Sequence, residues 1–192
     1  MNKIAAIIKT GREVFAAQDL VVIWGYCDER KLYELIKYYV RREEIFVLAR
    51  GLYAIKQYTE QELRGDPQLL MKIANKLVPN SYVSLFTVLR QQGVISQYYD
   101  EVYCVASRSV IRRVMGVEFI YKQVKEEVLL NELGIVSQSG VRVASLERAV
   151  ADMWYVYPKL NLENLERVNK KELRRIVKIY GKKVMQAKLT EI

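Results

Sequence analysis

The sequence predicts an α+β protein in two parts, and three observations predict it. Residues 28–55 read as an amphipathic helix followed by a hairpin. Leu32, Leu35, Ile36 and Tyr39 recur at the spacing of one buried helical face. Ile45-Phe46-Val47-Leu48 and Leu52-Tyr53-Ala54-Ile55 are β-prone runs joined through Ala49-Arg50-Gly51. The middle of the chain then turns from helical to strand-like periods, and the last thirty residues return to a helical pattern with a basic face. A helix with a basic outer face, followed directly by a hairpin, is how a winged helix-turn-helix presents itself to DNA. The expected architecture is therefore an N-terminal winged helix-turn-helix, residues 1–58, followed by a mixed α/β domain, residues 59–192, with a terminal basic amphipathic helix.

The elements follow in order. Residues 1–9 form a helix with Ile4, Ile7 and Ile8 on one face, stopped by Thr10-Gly11. Val14-Phe15 is a brief extended piece. Residues 17–24 form a short helix with Leu20, Val21 and Trp24 inward, ended by Gly25. Asp28 caps the third helix, because its carboxylate accepts an orphan backbone N–H. Residues 58–67 are polar, carry Gly65, Asp66 and Pro67, and read as a linker with room for one helical turn over Thr59-Glu60-Gln61-Glu62-Leu63. Residues 68–77 and 81–92 are helices separated by Pro79-Asn80, the second capped by Ser81 and stopped by Gly93.

Residues 102–106 and 117–121 are strands, and Arg112-Arg113-Val114-Met115-Gly116 joins or extends them. Residues 129–133 suit either helix or strand. Ile135-Val136 and residues 141–144 flank the turn-like Ser137-Gln138-Ser139-Gly140 as a further hairpin. Residues 145–155 form a helix capped by Ser145, with Leu146, Ala149, Val150 and Met153 on its apolar side. Residues 161–168 are weakly helical. Asn169-Lys170-Lys171-Glu172 resembles a capping box for a last helix running to about Leu189.

Apolar residues make up 51 % of the 192 and charged residues 28 %, which is material for a core and no sign of general disorder. The net charge of +9 favours a polyanionic partner or marks an ordinary basic protein. Charge is uneven: residues 1–58 carry ten Lys and Arg against seven Asp and Glu, residues 59–161 twelve against eleven, and residues 162–192 nine against four. The absence of histidine excludes Ser-His and Cys-His catalysis and His-ligated zinc. Cys27 and Cys104 are distant in sequence and lack further thiolates for a zinc site, as expected of reduced cysteines in a cytoplasm. The apolar run at the N-terminus is too short to span a bilayer, so no membrane partner is expected.

Arg30, Tyr33, Lys37 and Arg41 are the candidates for base and phosphate contacts on the exposed face of the third helix. Glu34 shares that face. It either accepts from a cytosine amino group or pairs with Arg30 or Lys37 along the helix. Arg50, at the hairpin tip, suits the minor groove or a phosphate. Tyr53 suits the core as well as DNA. On the last helix Leu173, Ile176, Val177, Tyr180 and Val184 share an apolar face, opposite Lys171, Arg174, Arg175, Lys178 and Lys182. Arg174, Arg175 and Lys178 are candidates for added DNA affinity, or for an acidic protein, and the bland alternative is a solvated surface.

No Walker-type G-x-x-x-x-G-K, G-x-G-x-x-G or G-x-S-x-G occurs, and carboxylates show no metal-ligand spacing. No catalytic residue, metal or cofactor is therefore expected. The alternative is a nuclease-like, nucleic-acid-processing enzyme that uses the helix-turn-helix for targeting.

The order of motifs resembles the AbiEi antitoxin family of type IV toxin–antitoxin (abortive phage infection) systems. The resemblance rests on Arg50-Gly51-Leu52-Tyr53-Ala54, on Asn80-Ser81-Tyr82-Val83-Ser84-Leu85 with Leu89 and Gln92-Gly93-Val94-Ile95, and on Val143-Ala144-Ser145-Leu146-Glu147-Arg148-Ala149-Val150-Ala151-Asp152. It covers nearly the whole chain. The chain departs from the family at Ala16-Ala17, where a Ser or Thr cap is usual, and at Glu43-Glu44, where a glycine commonly precedes the wing. The resemblance implies a transcriptional autorepressor that binds inverted repeats in its own promoter, as a monomer or weak dimer acting cooperatively on DNA. It further implies an antitoxin that counters a nucleotidyltransferase-like toxin encoded in the same operon. Tyr82, Ser84, Arg148 and Asp152 are carried over as motif residues of the C-terminal antitoxin-like domain. Packing and an i, i+4 ion pair are their structural alternative.

Overall fold

The computed structural model describes residues 2–26, 28–97, 100–138, 140–181 and 183–190, and for 183, 184, 186 and 187 the backbone alone. Cys27, Ser139, Lys182 and the side chain of Val184 therefore lie outside the described residues. The chain is a mixed α+β protein with two sheets, one of three strands and one of six. It divides into two compact units, residues 1–69 with 113–116, and residues 70–112 with 117–192.

The first unit runs α1 (Lys3–Lys9), β1 (Val14–Ala16), α2 (Ala17–Trp24), α3 (Glu29–Arg41), β2 (Phe46–Ala49), β3 (Leu52–Ala54) and α4 (Glu60–Gly65). Apolar residues from α1, β1, α2, α3 and β3, with Ile45 just before β2, meet in one core of Ala6, Ile7, Phe15, Ala17, Leu20, Trp24, Leu32, Ile36, Ile45 and Tyr53. Full burial of side chains such as Leu32 and Ile36 contributes about 1.5–3 kcal/mol each. Two reciprocal bonds tie α1 to α2: Lys3 Nζ donates to the Trp24 carbonyl at 2.7 Å, and Trp24 Nε1 donates to the Lys3 carbonyl at 2.9 Å. β3 is the central strand, antiparallel to both β1 and β2. Its pairing with β1 reaches Ala16 opposite Leu52, directly beside the Arg50-Gly51 turn, so the hairpin projects little beyond its sheet.

Both departures from the family pattern are resolved locally. Ala16 has no side-chain oxygen to cap α2, but the Asp19 carboxylate reaches back to the Ala16 N–H at 2.7 Å and is itself held by Arg12 at 2.9 Å. After α3, Glu43 adopts the left-handed region at φ 56° that a glycine would fill. The Glu44 N–H then bonds the Tyr39 carbonyl at 3.0 Å, which closes the helix with a Schellman-type turn. The expected linker contains a helix, α4, because Thr59 and Glu62 form a reciprocal capping box.

The remaining elements are α5 (Pro67–Leu77), β4 (Tyr82–Val83), α6 (Leu85–Gln91), β5 (Val102–Ala106), β6 (Val110–Val114), β7 (Val117–Gln123), α7 (Glu126–Leu129), β8 (Ile135–Gln138), β9 (Val141–Ala144), α8 (Leu146–Val156), α9 (Lys170–Val177) and α10 (Lys183–Thr190). The larger sheet has the order β6-β7-β5-β4-β9-β8. β4 is antiparallel to β5 and parallel to β9, and β5 is parallel to β7. α8 packs against both α6 and α9.

Three expectations require correction here. Residues 81–92 are not one helix, since Tyr82-Val83 pairs on both sides as a strand, and Ser84 rather than Ser81 precedes the helix. The last helix is not continuous either. α9 gives way to a 3-10 turn at Lys178–Tyr180, and Gly181 at φ 61° ends it before α10 begins. Residues 161–168 hold only a 3-10 turn, Leu165–Arg167.

Candidate nucleic-acid interface

The third helix earns its orientation from both of its sides. Asp28 caps it, accepting from the Arg30 N–H at 2.9 Å and the Lys31 N–H at 3.3 Å. Leu32 and Ile36 are 2 % exposed, and Leu35 and Tyr39 pack on the same core, with Tyr39 5.7 Å from the Trp24 ring. That burial turns Arg30, Tyr33, Glu34, Lys37 and Arg41 to solvent, and all five are exposed. Arg42, one position on, is locked: it donates to Glu44 at 2.6 Å and to the Tyr38 hydroxyl at 3.1 Å. Arg30, Lys37 and Arg41 have no ionic or hydrogen-bonding side-chain partner among the described residues. Arg50 is exposed at the hairpin turn, beside Gly51 at φ 76°. Tyr53 belongs to the core: it is 8 % exposed and stacks on Phe15 at 6.4 Å.

The second unit carries a separate basic face on α9. Asn169 caps this helix, accepting from the Lys171 and Glu172 N–H groups at 3.1 Å each. The expected capping box is half formed, because the Asn169 N–H donates to Glu147 rather than to Glu172. Leu173, Ile176, Val177 and Tyr180 are buried, which leaves Lys171, Arg174, Arg175 and Lys178 exposed. Arg175 is paired with Glu172 at 2.8 Å, so its charge is the least available of the four.

Tyr82, Ser84, Arg148 and Asp152 converge on one buried network, and all four are 0 % exposed. Arg148 and Asp152 sit one turn apart on α8 with a 3.6 Å ion pair. All five guanidinium N–H donors of Arg148 are used. Nη1 bonds the Asn131 and Leu133 carbonyls, Nη2 bonds the Val128 carbonyl and the Tyr82 hydroxyl, and Nε also bonds that hydroxyl. Asp152 accepts from Tyr82 at 3.0 Å, Ser84 at 2.7 Å and Tyr180 at 2.6 Å. Burial pushes the Asp152 carboxyl above its ordinary range, against the pull of Arg148 and the three hydroxyls. Burial, reinforced by the Asp152 charge, also raises the Tyr82 and Tyr180 phenols. The cluster joins β4, the chain after α7, α8 and the end of α9 by polar bonds inside the core. These side chains face one another and not solvent.

Tyr180 is the member that sequence reasoning missed. Its place on the apolar face of the last helix suggests packing, and nothing local signals that its hydroxyl meets Asp152. Cys104 is buried, and burial pushes its thiol well up, consistent with a packed, unreactive side chain. Among the described residues, no three His, Cys, Asp or Glu side chains are grouped to hold a metal ion, and no helix is long and apolar enough to cross a membrane. No family model and no curated protein matches this chain.

Proposed function

We propose that this protein is a DNA-binding transcriptional autorepressor with antitoxin activity, of the AbiEi kind. Its first unit serves as a winged helix-turn-helix. In this reading α2 and α3 are the helix-turn-helix, α3 enters the major groove and the β2–β3 hairpin is a short wing. The observation that carries it is the exposed α3 face, on which Arg30, Lys37 and Arg41 stand without partners among the described residues while the core fixes the opposite face. Unpaired cations on a rigid helix are ready for phosphates and guanine edges, with no internal ion pair to break first. The element order and the sheet order β1-β3-β2 support the same reading.

The antitoxin half rests on the motif order from Asn80 to Asp152. The C-terminal domain counters a nucleotidyltransferase-like toxin encoded in the same operon, and the protein acts in the cytoplasm as a monomer or weak dimer, cooperatively on inverted repeats. Two assays test the reading. The protein should bind the duplex upstream of its own gene at least about a thousandfold more tightly than a scrambled duplex, with affinity falling steeply as salt rises. Co-expression should restore growth to cells producing the neighbouring toxin. Equal binding to both duplexes removes the repressor role, and continued growth arrest removes the antitoxin role.

A further inference from the structure

Glu34 is an acid in the middle of the basic α3 face. Arg30 lies one turn before it and Lys37 one turn after, both at spacings where helical ion pairs form. Neither pair forms: Glu34 is exposed and makes no hydrogen bond or ion pair with any described residue. Of the nearby acids, Asp28 caps α3 and Glu44 holds Arg42, while Glu29 and Glu43 are, like Glu34, exposed and without a side-chain partner among the described residues. Glu34 differs from these two in standing between Arg30 and Lys37 on the basic face. An unpaired carboxylate that faces DNA is repelled by every phosphate. It is tolerated where it meets a donor.

The major-groove edges present few donors. Guanine offers N7 and O6, both acceptors, and thymine offers O4 and a methyl group. Adenine sets its amino group beside the acceptor N7. Cytosine alone presents an amino donor with no acceptor on the same base. Its guanine partner offers the two acceptors that an arginine or lysine takes.

Resting on the DNA-reading role of α3, we infer that Glu34 is a specificity determinant. It accepts a hydrogen bond from the N4 amino group of a cytosine, so that one position in each half-site must be a C·G pair. The cations around Glu34 supply affinity, and Glu34 supplies selection against the other bases at that position.

The test compares the wild-type protein with E34A and E34Q on the preferred duplex and on each of its single-base-pair replacements. Circular dichroism establishes that the variants fold. Wild type should lose about tenfold or more when the critical cytosine is replaced. E34A should bind the duplexes that lack the cytosine more tightly and lose that preference, with the other positions unchanged. E34Q should shift the preference toward adenine, whose N6 and N7 a carboxamide matches. A full preference for cytosine in both variants overturns the inference while leaving the DNA-reading role standing. A wild type with no preference among duplexes overturns that role, and the inference with it.

Discussion

Glu43 is the plainest case of a residue out of place. It holds a left-handed backbone at the end of α3, a conformation that costs a residue with a Cβ roughly 1 kcal/mol. Glu43→Gly should therefore stabilise the protein by about 0.5–1 kcal/mol, read as a higher midpoint in urea at unchanged slope. Tyr58 is a second case. Its hydroxyl is buried with no hydrogen-bond partner among the described residues, although Lys56 lies 4.6 Å from its ring centre. An unmade buried bond costs about 1–3 kcal/mol, so Tyr58→Phe should raise stability by about 1 kcal/mol at neutral pH. The effect should grow with pH. Burial first, then the charges of Glu13, Asp66 and Glu62, push the Tyr58 phenol up to about 12. The fold favours the neutral phenol over the phenolate, relative to an unfolded value near 10. That contribution is intact below pH ~10 and is lost as pH rises toward 12. Thermal melts should show the gap between variant and wild type widening over this interval, and a constant gap would contradict the assignment. Tyr58 carried no mark in the sequence. Glu43 stood out as a departure from the AbiEi pattern, in which a glycine commonly precedes the wing, but its dihedral angle is not written in the residue type.

At the scale of elements, the legible parts were those whose period is long enough to repeat. α2, α3 and α8 each show an apolar face with a cap or a glycine at an end, and each lies within a residue or two of its expected span, although Val21 of α2, expected inward, is exposed. β4 escaped because two residues cannot show a period, and pairing with β5 and β9 buries both of them. The break at Gly181 escaped because the apolar spacing runs across it in the sequence, from Tyr180 to Val184. Just before the break the Tyr180 hydroxyl donates to Asp152 and so ties the end of α9 to the core. Tyr180→Phe should cost about 1.5–3 kcal/mol, the usual range for a bond to a charged acceptor. Arg148→Met should cost more, about 3–5 kcal/mol, because it leaves the Asp152 carboxylate buried without its cation. Chemical denaturation checks both, and an Arg148→Met variant as stable as wild type would mean that the network is not the hub described. If the exposed side of α9 contacts phosphates, it adds affinity without reading bases. Replacing Lys171, Arg174 and Lys178 together with alanine should weaken binding to every duplex and flatten the salt dependence, with base preference retained. Lost preference in that folded variant would show that α9 reads sequence.

At the scale of the molecule, net charge and available cations are distributed differently. Residues 1–58 carry a net charge of only +3, yet three of their cations stand unpartnered among the described residues on one face of α3. The candidate DNA face was legible in the sequence because solvent exposure follows directly from helical period. The four motif residues of the second unit were legible as a set, but their mutual contact was not. Sequence spacing paired Arg148 with Asp152 and gave no sign that Tyr82 and Ser84, nearly seventy residues earlier, meet the same carboxylate. If the α3 face is the reader, replacing its cations should remove binding and leave the fold intact, since none of them contributes to the core. The direct measurement is fluorescence anisotropy of the labelled upstream duplex with wild type and with R30A/K37A/R41A, the variant shown folded by its melting curve. The account predicts saturable binding by wild type and no binding by the triple variant at the same salt. Unchanged binding by the folded triple variant would contradict it.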